Sequence, residues 1–295
     1  KNTRSSMINQ GFNIEEVYLH SSLPDSIDIL VISELRSPLS AGEMNYLQEF
    51  IGRGGSLFVL GGPGRQELMN PIIEQFGVRF MPGQLVQPTP LLQADLIQSV
   101  PTDEGVAYWS DLDYIRKNEG CVAMPGCVGL EYTPIEGITV VPLFSTDTAG
   151  CWNRIVATDF VRDSVYYTPE TGDQAGIFTT ALALTRDVNG REQRVLVAGN
   201  TDFLSNGEFA TGRREVRNFN GILKHAAFYW LSHEELPVNT AGDSPIDRKL
   251  YIGDGGLVYR VYGRDTCYTG SCRDHYMGTS SRALIFKSLF YEYDI

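Results

Sequence analysis

The sequence predicts an α/β fold in which helices cover both faces of a parallel sheet. Three apolar runs, at residues 29–32, 57–60 and 194–198, have the hydrophobicity of strands that are buried on both faces. A segment with the apolar spacing of a helix follows each run, and this alternation of strands and helices is typical of parallel sheets. We therefore expect a three-layer arrangement.

The first predicted helix has clear signals at both of its ends. Ser40 and Glu43 form an S-x-x-E capping box, which satisfies free N–H groups where a helix begins. Its apolar face consists of Met44, Leu47, Phe50 and Ile51. Gly52, Gly54 and Gly55 then end the helix, because glycine adopts the left-handed cap conformation.

Four further elements complete the predicted core. Residues 14–19 alternate imperfectly and indicate an edge strand. Residues 67–76 indicate a helix, and residues 178–184 indicate either a strand or a short helix. Residues 218–232 have one apolar helical face, and Pro237 stops that helix.

Two changes in composition divide the chain. From residue 81 to about 172 prolines are frequent and periodicity weakens, so we expect a long insertion with short strands at 121–124 and 139–143. The predicted domain spans residues 1–240 with this insertion, and residues 241–295 form a C-terminal extension.

The C-terminal extension is rich in tyrosine. Seven of the 15 tyrosines lie between Tyr251 and Tyr293, which makes this region a candidate contact surface. Residues 249–252 and 257–262 flank a glycine-rich turn and predict a hairpin.

Composition excludes several classes of protein. With 295 residues, 42% hydrophobic and 20% charged, the chain is expected to be globular. A net charge of −12 disfavours a nucleic-acid binder, which usually has a basic face. No apolar run approaches the roughly 20 residues of a membrane-spanning helix.

Two long segments resemble a known family. VISELRSPLSAGEMNYLQEFIGRGGSLFVLGGPG at 31–64, and RVLVAGNTDFLSNGE with FNGILKHAAFYWLSHEELP at 194–237, are similar to the soluble domain of gliding-motility-type (GldG-like) ABC transporter auxiliary proteins. MPGCVGLEYTP and ITVVPLF also match, and the resemblance covers roughly residues 5–252. It implies a flavodoxin-like or class I glutamine amidotransferase-like fold.

The same resemblance implies a place and partners. Such proteins act with membrane-embedded permease and ABC ATPase subunits, and flanking helices anchor them at the extracytoplasmic (periplasmic) face of the inner membrane. This chain opens on a predicted helix at residues 4–10, where the fold normally begins with a strand. We therefore expect the sequence to be the soluble part of a longer membrane protein.

Ligands of open parallel sheets bind beyond the carboxyl ends of the strands. The candidate ligand-binding residues there are Glu34, Gly61, Gly62, Gly64, Arg65, Asn200, Asp202, Ser205 and Asn206. The alternative is structural, since glycines make tight turns and Asp, Ser and Asn cap helices. GGPG is neither a P-loop nor a dinucleotide fingerprint, so no cofactor is expected.

An enzymatic alternative rests on one cysteine. Class I glutamine amidotransferases use a Cys nucleophile on a strand-to-helix elbow and a downstream H-x-E pair. His233 and Glu235 fit H-x-E, but the nearest match to the elbow, Cys127 in PGCVG, lies in the insertion. We therefore expect no catalytic residues, with Cys127, His233 and Glu235 as the alternative set.

The five cysteines leave their redox state open. Cys267 and Cys272, with His275, could bind zinc, but a fourth ligand is not evident and C-x4-C is unusual spacing. A local disulfide and free thiols remain the other possibilities, and we expect no metal.

Three hypotheses of function follow. The first is a non-catalytic extracytoplasmic domain of an ABC-type transport system that binds a partner subunit or a ligand. The second is a Cys-dependent amidotransferase-like hydrolase. The third is a sugar- or peptide-binding module of a surface complex, with the insertion and the tyrosine-rich extension as its contact surface.

Overall fold

The computed structural model describes residues 12–147, 150–163 and 165–234, together with four short strands beyond them. Helices and strands alternate at its start: β1 Asn13–Glu15, β2 Ile27–Ser33, α1 Ala41–Gly52, β3 Ser56–Leu60, α2 Gln66–Ile73 and β4 Val78–Phe80. The region predicted as an insertion contains β5 Gln84–Val86, β6 Leu96–Pro101, α3 Asp103–Tyr108, α4 Asp111–Lys117, β7 Val122–Pro125, β8 Leu130–Tyr132, β9 Ile138–Thr146 and β10 Trp152–Arg154.

The rest of the chain returns to the core. Its elements are β11 Gln174–Ala175, β12 Thr179–Val188, β13 Arg191–Ala198, α5 Asn206–Thr211 and α6 Asn220–Leu231, followed by β14 Tyr251–Gly253, β15 Gly256–Arg260, β16 Cys267–Tyr268 and β17 Ala283–Lys287. The predicted helix at residues 4–10 lies outside the described residues.

Eleven strands of the described residues form the main sheet, in the order β1-β17-β2-β3-β13-β12-β9-β6-β7, with β8 and β4 attached beside β12. The first five strands are parallel to one another. The predicted edge strand is confirmed as β1, although β1 is shorter than residues 14–19. We call these five strands, β1, β17, β2, β3 and β13, the parallel half.

The prediction of a parallel sheet is wrong for the remaining strands of the main sheet, although the α/β class is confirmed. Strand β12 pairs antiparallel with β13 and β9, and β6 pairs antiparallel with β9 and β7. The physical reason is a tight hairpin, because Asn189 and Gly190 join β12 to β13 with φ of 55° and 80°. Of the predicted residues 178–184, all but the first accordingly belong to strand β12. We call β12, β9, β6 and β7 the antiparallel half.

Helices cover both faces of the parallel half. Ile29 and Val31 of β2 share one core with Phe228 of α6. Leu30 and Ile32 of the same strand share the opposite core with Leu47 and Phe50 of α1. Alternate residues of one strand therefore enter different cores, as the apolar run at residues 29–32 predicts.

The predicted signals at the ends of α1 are present. The Ser40 side chain accepts a hydrogen bond from the Glu43 N–H at 3.2 Å, and a Glu43 carboxylate oxygen accepts one from the Ser40 N–H at 2.9 Å. Gly54 has φ of 83°, which allows the chain to turn directly into β3.

The C-terminal strands fall into two groups. The predicted hairpin is confirmed, since β14 and β15 pair antiparallel, and they form a separate sheet with β16. Strand β17 instead lies between β1 and β2 in the main sheet. Within the described part of the chain, no helix has the length and apolarity needed to cross a membrane.

Candidate functional site

Three loops meet where β2, β3 and β13 end. These strands are parallel neighbours, so residues 33–34, 61–65 and 200–206 lie at one edge of the sheet, which we call the carboxyl edge. The Gly61 N–H donates to the Ala198 carbonyl at 2.9 Å, and the Thr201 hydroxyl donates to the Gly61 carbonyl at 3.3 Å. The fold therefore brings the predicted loops together.

Glu34 has an unusual backbone conformation at this edge. Its φ is 35°, in the left-handed region that residues with a side chain rarely adopt. A Cβ placed on Gly62 would lie 2.6 Å from Glu34 Oε1, so the carboxylate rests directly over that glycine. Strained residues of this kind cluster at binding and catalytic sites, which makes Glu34 the focus of the carboxyl edge.

Two carboxylates at the carboxyl edge have raised pKa values although both side chains contact solvent. Partial burial raises the pKa of Glu34, and the charge of Asp202 raises it further, while Arg65 and Arg36 act in the opposite direction. Partial burial and the charge of Glu208 raise the pKa of Asp202. The site therefore has an acidic centre, and the charge of the candidate residue Arg65 acts on the Glu34 carboxylate.

The three loop glycines have different roles. A Cβ on Gly61 would lie 2.4 Å from the buried Phe80 ring, so this position must be glycine for packing. Gly64 has φ of 72° and open space around it, so it serves the turn. Of these three glycines, Gly62 is the one that lets a side chain of the carboxyl edge, that of Glu34, lie close to the backbone.

Asn200 is fully occupied by structural hydrogen bonds. It is 2% exposed, and its amide nitrogen donates to the carbonyls of Pro125 and Gly126, the latter at 3.3 Å. Its amide oxygen accepts from the Phe203 N–H at 2.7 Å. We therefore assign Asn200 to holding the loop after β7 against the carboxyl edge.

Ser205 and Asn206 begin α5. The Ser205 hydroxyl accepts from the Glu208 N–H at 3.0 Å, which confirms the predicted capping role. Asn206 is the first residue of the helix and is exposed. Asp202 lies one turn earlier, where its carbonyl accepts from the Ser205 N–H at 2.8 Å.

An ion pair behind the carboxyl edge was not anticipated. The side chain of Glu208 is 3% exposed, and Arg213 binds it through two bonds of 2.6 and 2.7 Å. Gly212, with φ of 56°, ends α5 and precedes Arg213. Asp95 from the predicted insertion also interacts with Arg213, and partial burial raises the pKa of Asp95. A Glu five residues before an Arg across a helix-ending glycine is a local signal, but nothing in the sequence indicates Asp95.

The fold does not bring Cys127 and His233 together. Cys127 lies near the carboxyl edge, since its Sγ is 3.3 Å from the position of a Cβ on Gly199. His233 follows the far end of α6, where Arg194 of β13 donates to the Trp230 carbonyl at 2.8 Å. The 12 residues of α6 span about 18 Å between these regions. Glu235 lies outside the described residues.

The Cys127 thiol is also poorly suited to attack a substrate. Its side chain is fully buried, and burial raises the pKa of the thiol far above its ordinary value. The thiol therefore stays protonated at neutral pH, whereas the nucleophilic form is the thiolate.

Two of the three residues of the zinc alternative lie outside the described part of the chain. Cys121, Cys127 and Cys151 are buried free thiols, and the part of the chain that the structure describes contains no group of three or more metal-binding side chains. Cys267 lies in β16, while Cys272 and His275 lie outside the described residues.

Similarity to known proteins is found among solved structures. No protein-family model matches the chain. No curated protein matches it either. A solved structure described as the mmIFT52 N-terminal domain is similar over 70% of this chain and 77% of that chain, with 14% identity and a TM-score of 0.47. A likeness at this level carries no argument about function.

Proposed function

We propose that the chain is a non-catalytic extracytoplasmic domain of a GldG-like ABC-type transport system, in an auxiliary or permease protein. Its carboxyl edge binds a partner subunit or a ligand. We further propose that the helix–sheet–helix layers of the parallel half correspond to the flavodoxin-like or class I glutamine amidotransferase-like arrangement that the sequence resemblance implies.

One observation carries the proposal. The loops after β2, β3 and β13 meet around Glu34, a residue held in a left-handed conformation with its carboxylate accessible to solvent. Open sheets bind ligands at this edge, and local strain is retained where it serves a site. The association with transport rests on the resemblance of residues 31–64 and 194–237.

The chemistry of the carboxyl edge favours a basic partner surface. Partial burial makes the charged forms of Glu34 and Asp202 energetically unfavourable, and the charge of Asp202 also contributes to the raised pKa of Glu34. A lysine or arginine of a partner placed between them would lower that cost. The expected partners are the membrane-embedded permease and the ABC ATPase complex, at the periplasmic face of the inner membrane.

The enzymatic alternative has less support. A cysteine hydrolase needs a thiolate within hydrogen-bond reach of its base. Cys127 is buried with a raised pKa, and α6 separates its region from His233.

Co-purification from native membranes tests the proposal. The full protein carrying Glu34→Gln and Asp202→Asn is expected to retain less than about a tenth of the wild-type permease and ATPase subunits, as loss of paired interface charges predicts. Glu104→Gln with Glu131→Gln removes the same charge from exposed positions elsewhere and serves as the control. Equal recovery with both double variants contradicts binding at the carboxyl edge. Failure of the wild-type protein to recover any transport subunit contradicts the association with transport.

A second candidate is a sugar- or peptide-binding module. The observation that favours it is a group of exposed apolar side chains near β10, with Val161, Tyr166 and Tyr167 exposed by 78%, 73% and 45%. Under this alternative, polysaccharide or peptide ligands raise the melting temperature, and Tyr166→Ala abolishes the shift. An unchanged melting temperature across such a ligand panel favours the transport proposal.

A further inference from the structure

The position between β1 and β2 is filled by a strand from the far end of the chain. Strand β17 pairs in parallel with both neighbours, so that Leu284 lies opposite Ile14 on one side and Ile29 on the other. The other described strands of the C-terminal extension, β14 to β16, form their own sheet. Strand β17 is thus the segment of this extension that joins the main sheet.

One wall of this position is fixed by contacts that do not involve β17. Strand β2 pairs with β3 along its other edge, from Ile29 opposite Ser56 to Ser33 opposite Leu60. Its residues at 29–32 are buried in the two cores together with α1 and α6. The edge of β2 that receives β17 is therefore held in place by the rest of the domain.

The other wall is held at both of its ends. Phe12, just before β1, is 5% exposed, and its ring lies 6.1 Å from that of Phe228 in α6. Leu19, just after β1, is 4% exposed and belongs to the core that contains Leu30 and Ile32. Both flanks of β1 are thus anchored in the domain, on opposite faces of the sheet.

We propose that the gap between β1 and β2 is a binding site for an extended apolar peptide strand, and that residues 283–287 are its tethered ligand. The two walls offer main-chain partners on both sides, and the cores above and below are apolar. The sequence Ala-Leu-Ile-Phe-Lys suits a strand buried on both faces. Addition of a strand to such an open position is a common mode of peptide recognition. This inference is independent of the carboxyl edge.

The tether decides when another strand can enter. Because β17 belongs to the same chain as β1 and β2, it competes for this position as an intramolecular strand, with an effective concentration of up to about a millimolar. A free peptide of the same sequence at micromolar concentration is therefore outcompeted by β17, whose effective concentration is about a thousandfold higher. A partner strand gains access when residues 283–287 are withdrawn from the sheet, so the tethered segment controls the site.

Hydrogen exchange of the unmodified protein gives the first test. We expect the amides of residues 283–287 to be protected, yet to exchange at least about tenfold faster than those of residues 56–60, because a separable strand opens without unfolding the cores. Equal rates in the two segments would mean that β17 is an inseparable part of the sheet. Unprotected exchange at residues 283–287 would mean that the site is not occupied by them. Either result overturns the proposal.

Binding in trans gives the second test. In the full chain, Ile285→Pro removes a ladder donor and should expel β17 from its interior position. A labelled peptide of sequence SRALIFKSLFYE, residues 281–292, is expected to bind this variant at least about tenfold more tightly than the unmodified protein. Val258→Pro in β15 is the matched control and should not open the site. Equal binding to all three proteins, no binding to Ile285→Pro, or loss of its folded core would each overturn the proposal.

Discussion

The two halves of the main sheet meet where β13 pairs with β12, but they are built in different ways. The parallel half joins β2 to β3 through α1, and its strands all end at the carboxyl edge. In the antiparallel half, the Asn189–Gly190 turn joins β12 to β13, and the other edge of β12 pairs with β9 of the predicted insertion. A parallel arrangement collects several strand-exit loops at one edge, whereas an antiparallel one sends neighbouring loops to opposite edges.

This difference explains where the candidate site lies. Glu34, Gly62 and Asp202 come from three different loops of the parallel half. The antiparallel half contributes support from behind, since the loop after β7 is held by Asn200 and buries Cys127. The five predictions below test this division of roles, from the largest expected effect to the smallest.

The largest effect is expected where the halves join. A Cβ on Gly199 would lie 1.9 Å from the Val128 carbonyl oxygen, a backbone atom that cannot move aside alone. Gly199→Ala should therefore lower the free energy of unfolding by about 3 kcal/mol in urea denaturation. Gly42→Ala in α1, with nothing within 4 Å, is the control and should stabilise by up to about 1 kcal/mol. A neutral effect of Gly199→Ala would mean that the halves are not tightly joined there.

The second prediction concerns the buried thiol of the antiparallel half. Because burial keeps Cys127 protonated and inaccessible, iodoacetamide at pH 7.5 should label it at least about 100-fold more slowly in the folded than in the unfolded chain. Peptide mass spectrometry separates it from the other cysteines. Rapid labelling of Cys127 alone would restore the hypothesis of a cysteine hydrolase.

Asn200 gives the third prediction. Asn200→Ala leaves the Pro125 and Gly126 carbonyls and the Phe203 N–H without this partner, so the free energy of unfolding should fall by about 2 kcal/mol. Asn206→Ala, at an exposed position of the same loop, should change it by less than about 0.5 kcal/mol. If the two variants unfold at the same urea concentration, Asn200 does not hold the halves together.

Two neighbouring glycines give the fourth prediction. Gly61→Ala meets the buried Phe80 ring and should cost about 2 kcal/mol. Gly62→Ala meets only the flexible Glu34 carboxylate and should cost less than about 1 kcal/mol. Thermal denaturation of both variants measures the difference. A larger cost for Gly62→Ala would show that the Glu34 side chain is rigidly fixed.

The smallest effect is a dependence on pH. The pKa of Glu34 is raised above its ordinary 4.5 in the folded chain. Between pH 4.5 and this raised pKa the folded chain therefore binds more protons than the unfolded chain, so Glu34 makes the free energy of unfolding fall as pH rises through this range. Glu34→Gln should therefore be more stable than the wild type at pH 7, by about 0.5 kcal/mol or less because solvent screens the charge. The difference should vanish below pH 4.5. A less stable variant at pH 7 would mean that Arg65 and Arg36 outweigh burial.

Much of the parallel half could be predicted because its signals are local. The apolar runs at residues 29–32 and 57–60 identify β2 and β3, and the Ser40–Glu43 capping box locates the start of α1. Because three parallel strands are each followed by a helix, three loops are expected at one edge of the sheet, and Glu34 and Asp202 lie in those loops. Ser205 followed the ordinary chemistry of a helix cap.

The strands predicted at residues 121–124 and 139–143 are confirmed as β7 and β9, but the antiparallel pairing of this half was missed although one local signal existed. Asn189–Gly190 is a strong hairpin sequence, and it would have identified β12 and its antiparallel pairing with β13. The pairing of β9 with β12 depends on contacts between distant segments, for which no local pattern exists. The same holds for Asp95 beside Arg213 and for β17 beside β2.

Site-specific photo-crosslinking in intact cells tests the central claim most directly. A photoreactive residue replaces Asn206, exposed at the carboxyl edge, or Glu192, exposed at the opposite end of β13. We predict that position 206 captures a membrane-embedded permease subunit and that position 192 does not. Capture of the permease from position 192 alone, or from neither position, would contradict the account of the carboxyl edge as the binding surface.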